Sequence, residues 1–165
     1  MKHKLWMYAM TAVWLTMMSC SLNICGYTQG YQREQLGDAH WIAQQGDTYT
    51  FGRREGSVEE SGAAIRFSRF FGRETLWTID VQHEGYLHLG CSLIKQQGPF
   101  EVVLVEQGTD RVIRLASGQG SVEKEVLLEK GTHLIKILGY DAAGKLAITL
   151  SYPWGMSVRV SSMRF

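Results

Sequence analysis

From Thr48 onward, apolar and polar residues alternate in short runs separated by glycine-bearing turns. Successive side chains of a strand point to opposite faces, so a period of two marks a strand with one buried face. Residues 75–82 place Trp77, Ile79 and Val81 on one face and Thr78 and Asp80 on the other. Residues 64–70 set Ile65 and Phe67 against Arg66 and Ser68, and residues 86–95 send Leu87, Leu89, Cys91 and Leu93 inward. The pattern returns at 132–140 with Ile135 and Ile137, and at 146–150 with Leu146, Ile148 and Leu150. Residues 100–106 are apolar on both faces, which predicts a central strand covered on both sides. Residues 48–51 predict a first strand, and Val158 and Val160 a last one. The charged stretch 52–62 reads as an exposed loop. No helix of normal length is visible here. Many short strands at regular spacing predict an all-β fold, an antiparallel β-sandwich.

The N-terminus carries a different pattern. Lys2, His3 and Lys4 precede an apolar run from Leu5 to Met18, followed by Ser19 and Cys20. This is the layout of a secretory signal helix, and the run is short of the roughly 20 apolar residues that span a bilayer. The expected organisation is a signal peptide at 1–20, a polar linker at 21–45 and the sandwich at 46–165. The linker carries Tyr27, Tyr31 and Trp41, and a short helix or strand is expected around residues 40–43. Met17-Met18-Ser19-Cys20 resembles the lipobox of bacterial lipoproteins: Ser19 and Cys20 match it, and Met17 stands where Leu is usual. The resemblance implies lipid on Cys20 and a tether to the outer face of a membrane. Cleavage near Ser19 or Ser21 with release, or an uncleaved helix bearing Trp6, Tyr8 and Trp14, are the alternatives.

Composition narrows the function classes. Lys+Arg 17 against Asp+Glu 16 gives a formal charge of +1, without the basic footprint of a nucleic-acid binder. Arg66, Arg69 and Arg73 interleave with Phe67, Phe70 and Phe71, a pattern that can bind single strands. With export and near-neutral charge, a solvated edge strand is the better reading, with anionic envelope polymers as a second. If Cys20 is lipidated, Cys25 and Cys91 remain, either as a disulfide or with Cys91 as a small buried hydrophobe. There is no C-x-x-C and no paired Cys/His, so neither a metal nor another cofactor is expected. His88 and His133 could meet only if their strands were neighbours. Neither G-x-S-x-G, H-E-x-x-H, a P-loop nor a dinucleotide fingerprint occurs, so no enzyme activity is expected.

Residues 127–137, LLEKGTHLIKI, resemble the late hairpin of jelly-roll carbohydrate-binding modules. The wider run 70–150, with Gly98, the strand after Gly131 and the turn at Ala143-Gly144, looks like exported lipoproteins of Gram-positive bacteria. The resemblance implies a jelly-roll-like sandwich and a sugar site near the last loops, where Tyr152 and Trp154 lie. The acid expected at the end of the closing strand is missing from 146–150. Trp154, Tyr152 and Tyr140 are the candidate ligand-binding residues, because an exposed ring stacks on the apolar face of a sugar or on a protein. The competing reading has Trp154 capping the open end of the sandwich. The expected function is a non-enzymatic extracytoplasmic module for a glycan or envelope component, tethered through lipid. The alternative is a structural or protein-interaction lipoprotein of the envelope.

Overall fold

The computed structural model describes residues 35–109 and 111–161. A short helix, α1 (Ala39–Ala43), comes first, and the Asp38 carboxylate caps it by accepting the amides of His40 and Trp41 at 2.9 and 3.3 Å. Nine strands follow: β1 (Thr48–Thr50), β2 (Arg53–Glu59), β3 (Gly62–Val81), β4 (Gly85–Gln97), β5 (Phe100–Glu106), β6 (Val112–Ser117), β7 (Gly120–Leu128), β8 (Gly131–Ser151) and β9 (Met156–Val160). Every pairing is antiparallel.

β3 and β8 organise the fold. They are 20 and 21 residues long, and they pair from Gly62↔Thr149 to Val81↔Gly131. Both bend midway. The register shifts on either side of Phe70, and Arg69 and Asp141 adopt φ of 48° and 46°. Gly72 has φ 102°, and a Cβ there would collide with the Thr48 carbonyl oxygen, so only glycine permits this approach to β1.

Past the bend the sheet doubles back on itself. One layer contains β2, the first half of β3, the second half of β8, β4 and β7. The other contains β1 and β9 along one side of β3, then the second half of β3, the first half of β8, β5 and β6. The fold is therefore the expected antiparallel sandwich, with two strands shared between its layers. Segments 64–70 and 75–82 read as two strands because the bulge between them looks like a turn; they are halves of β3. Residues 132–140 and 146–150 are likewise halves of β8.

The core lies between the layers. Trp77, Ile79, Val102, Leu104 and Ile135 from one layer join Leu87, Leu89, Leu93 and Ile148 from the other. Each such side chain contributes about 1.5–3 kcal/mol on full burial. Phe70 sits at the bend, stacked on Phe51 at 4.5 Å between ring centroids, and Phe67 stacks on Phe100 at 4.6 Å. Trp77 Nε1 donates to the Glu59 carbonyl at 2.7 Å, and Arg54 meets Glu74 at 3.2 Å in a buried ion pair. Residues 52–62, expected as a loop, are mostly β2: pairing with β3 turns Val58 and the Arg54 side chain inward and leaves Arg53, Glu55 and Glu59 in solvent. On the edge strand β7, Lys124 reaches to the Arg114 carbonyl of β6 at 2.6 Å, an inward charge of the kind that discourages edge-to-edge pairing.

The double cover expected for 100–106 comes from α1. Val103, Val105, Leu134 and Leu138 pack under Ile42, with Leu36 and Trp41 beside it. Lys136, fully buried among them, donates to the carbonyls of Ile42 and Gln44 at 3.2 and 2.9 Å. Burial and then the nearby Arg73 push its ammonium down to about 8. The Arg73 guanidinium lies over the Trp41 ring at 4.7 Å. Cys91 is a buried free thiol, pushed up to about 11 by burial. The signal, Cys20 and Cys25 lie outside the described residues, as does the linker up to residue 34.

Candidate ligand-binding surface

Among the described residues, only one sandwich face is covered, by α1. The outer face of the β2–β3–β8–β4–β7 layer is open, and register fixes its rows. One row runs Glu125, His88, Ser151 and the next Glu123, Gly90, Thr149. Then come Ser121, Ser92, Ala147, Ala64, Ser57 across all five strands, followed by Ile94, Lys145, Arg66, Glu55.

Two clefts occupy this face. The first, about 430 Å³, lies around Gly90 between the Glu125 and Thr149 sides. A Cβ on Gly90 would stand 2.6 Å from the Thr149 hydroxyl, so its hydrogen side chain keeps the cleft open. His88 Nδ1 pairs with the Glu125 carboxylate at 3.1 Å. The second cleft, about 420 Å³, is floored by Ala64 and Ala147 and bordered by Ile94, Arg66, Lys145 and Glu55.

The turn between β8 and β9 closes one end. Trp154 is 91% exposed there, so it does not cap the core. The ring of His83, from the β3–β4 turn, lies nearly parallel to it at 6.3 Å, and the Gln82 amide donates to the Gly155 carbonyl at 2.9 Å. The Gln82–Gly155 bond ties the two turns together, and the indole face remains in water. Tyr152 is half-buried against the core. Tyr86, half exposed, lies on the open face two positions along β4 from His88, toward this end, with Leu127 opposite it on β7.

Tyr140 is placed elsewhere. It sits at the bend of β8, edge-on to Phe71 at 5.4 Å, and its amide donates to the Pro99 carbonyl. It stands eleven positions along β8 from Ser151, a span of about 35 Å at strand rise. Trp154 and Tyr152 share one end of the sandwich and Tyr140 the other. His88 lies on the outer face of one layer, whereas His133 is buried in the other with Nε2 on the Glu129 carbonyl at 2.9 Å, so they do not converge. Among the described residues, no three His, Cys, Asp or Glu side chains gather to hold a metal. Arg66 faces the open cleft, Arg69 occupies the bulge and Arg73 is buried against the Trp41 ring, so the arginine–aromatic interleaving splits over three environments.

His83, Tyr86 and the two clefts carry no sequence signature. His83 reads as a turn residue, and the rows appear only once the register of five strands is known.

No family model matches the chain, and no curated protein matches it. Among solved structures, the chain is similar to a family 35 carbohydrate-binding module in complex with a glucuronic-acid-containing disaccharide. Identity is 14% and the TM-score 0.37, over 71% of this chain and 95% of that one. It is also similar to a carbohydrate-binding module of a Cellvibrio mixtus lichenase in complex with cellotriose, with 15% identity and a TM-score of 0.35, over 76% of this chain and 95% of that one. An exo-β-1,3-galactanase from Phanerochaete chrysosporium, with β-1,3-galactotriose, matches at 15% identity and a TM-score of 0.37, over 64% of this chain and 29% of that one.

Proposed function

We propose that the protein is a non-enzymatic binding module for a glycan or glycan-bearing envelope polymer, with Trp154 as its stacking platform. The exposure of Trp154 carries this reading. A large indole left in water gives up stabilisation that burial would supply, and an exposed flat ring on a held turn suits the C–H face of a pyranose. Tyr152 beside it and Tyr86 on the adjoining face extend the same end with hydroxyl-bearing rings.

A second reading has its own observation. Tyr86 and Leu127, 50% and 42% exposed, are direct cross-strand neighbours and form a small apolar patch suited to a protein partner. Probing a glycan array and a pull-down from solubilised envelope with the full chain separates the two. A glycan binder lights up saccharide spots and brings down no stoichiometric protein; a stoichiometric protein with a blank array overturns the glycan reading.

The tether at Cys20 belongs to the same proposal. Lipid there would fix the module at the outer face of a membrane, with several acyl chains needed for stable attachment. Mass spectrometry of the mature N-terminus tests it, and an unmodified start beyond Cys20 removes the tether.

A further inference from the structure

We propose that the cleft bordered by Arg66 and Lys145 is a second ligand site, one that takes an anionic group carried on a saccharide chain. The inference rests on the glycan reading above and deepens it by assigning charge to the ligand.

Arg66 and Lys145 are direct partners in the β3–β8 register, and both are exposed. Like charges directly opposite each other on neighbouring strands destabilise a sheet. Among the described residues, no ion pair to either side chain offsets the repulsion. Glu55 faces Arg66 in the β2–β3 register, but Arg53 Nε takes the Glu55 carboxylate at 2.9 Å. Among the described residues, Arg66 and Lys145 make no ion pair, whereas Arg54, Arg111, Arg114 and Arg159 each have a carboxylate.

The two cations also border the open cleft. The cleft of about 420 Å³ has Ala64 and Ala147 as its floor, and Ile94, 52% exposed, stands beside Lys145 in the same row. An apolar floor and wall beside two cationic heads, with the Glu55 carboxylate at the border engaged by Arg53, match a ring with one apolar face and an anionic substituent. The low-dielectric floor focuses the field of the two charges into the cleft. The planar guanidinium can engage a carboxylate or phosphate through two parallel N–H bonds, and the ammonium adds a mobile donor. Glu123 and Glu125 lie across the same face on β7, so an anionic chain is steered onto the β3–β8 side.

This site is separate from Trp154. Tyr86 and Ile94 mark the two regions on β4, and the eight positions from one to the other span about 26 Å. Variants at one region therefore leave the other intact.

The test is calorimetric titration of the full chain with three probes: an oligogalacturonate, its uncharged methyl ester, and a glycerol phosphate oligomer. The expected result is that at least one anionic probe binds about tenfold or more tightly than the ester, and that the margin shrinks with added salt. The doubly neutralised variant, Arg66→Gln with Lys145→Gln, loses the margin without a fall in melting temperature, while Trp154→Ala keeps it. Preference for the galacturonate assigns a carboxylate, and preference for the glycerol phosphate oligomer assigns a phosphate. Equal affinity for acid and ester, or a margin that survives in the double variant, overturns the proposal. Loss of neutral-oligosaccharide binding in Trp154→Ala bears only on the stacking site, so the two readings fail separately.

Discussion

The docking of α1 should be readable as a pH dependence through Lys136. Its ammonium is fully buried and is held at about 8, against 10.5 in an ordinary lysine, chiefly by burial and then by Arg73, with Asp47 opposing. Between those two values the unfolded chain binds a proton that the folded chain has released, so stability rises as pH rises. Linkage puts the gain at about 2 kcal/mol between about pH 7 and about pH 9.5. The assay is urea unfolding across that window for the wild type and for Lys136→Met. Methionine fills a similar volume without a charge, so the variant should lack this component of the slope. Its lost hydrogen bonds to Ile42 and Gln44 shift the curve by an offset, and the difference in slope isolates the titration. The Tyr49 phenol, raised above 10.0 by burial and then by Glu74, is common to both proteins. Parallel stability profiles would refute the reasoning, because Lys136 would then be as well hydrated in the folded state as in the unfolded one.

Phe70→Ala, at the bend shared by the two layers, is expected to cost about 3–5 kcal/mol in denaturant unfolding. An effect below about 1 kcal/mol would mean that the bend does not depend on its aromatic cluster. Trp41→Ala removes the ring beneath Arg73, whose Nε and Nη1 have no hydrogen-bond partner among the described residues, and should destabilise by about 1–3 kcal/mol and speed amide exchange in α1. The Asp80 carboxyl is held below 3.8, first by the Thr132 hydroxyl at 2.9 Å and also by Arg159. Its stabilising contribution is present above that value and is lost as pH falls through the lowered one, so Thr132→Val should show a smaller loss of stability in acid unfolding.

What the sequence discloses divides along physical lines. Period-two alternation is a local property, so the strands carrying Trp77, Leu89 and Ile135 are legible without any partner. The continuity of β3 and β8 is not, because a bulge and a turn use the same residues: Gly72 and Asp141 look like chain reversals, and only pairing shows the strand passing through. Residues 53–59 read as loop because an edge strand bears its charges outward, and nothing local distinguishes that from a solvated turn. The apolar double face of β5 predicts a cover, and the short helix near residue 40 supplies it, but joining the two requires a contact far apart in sequence. The site follows the same division. Whether Trp154 caps the core or faces water depends on how two turns meet, and Arg66 and Lys145, 79 positions apart, become neighbours only through register.

Affinity of the full chain for an oligosaccharide retained from the array, measured by calorimetry for the wild type and Trp154→Ala, tests the central claim most directly. A ring that is 91% exposed contributes little to folding, so the variant should melt with the wild type, within about 0.5 kcal/mol in stability. The expected result is a loss of about tenfold or more in affinity at that unchanged stability, from the stacking of one ring. Unchanged affinity would contradict the stacking role of Trp154.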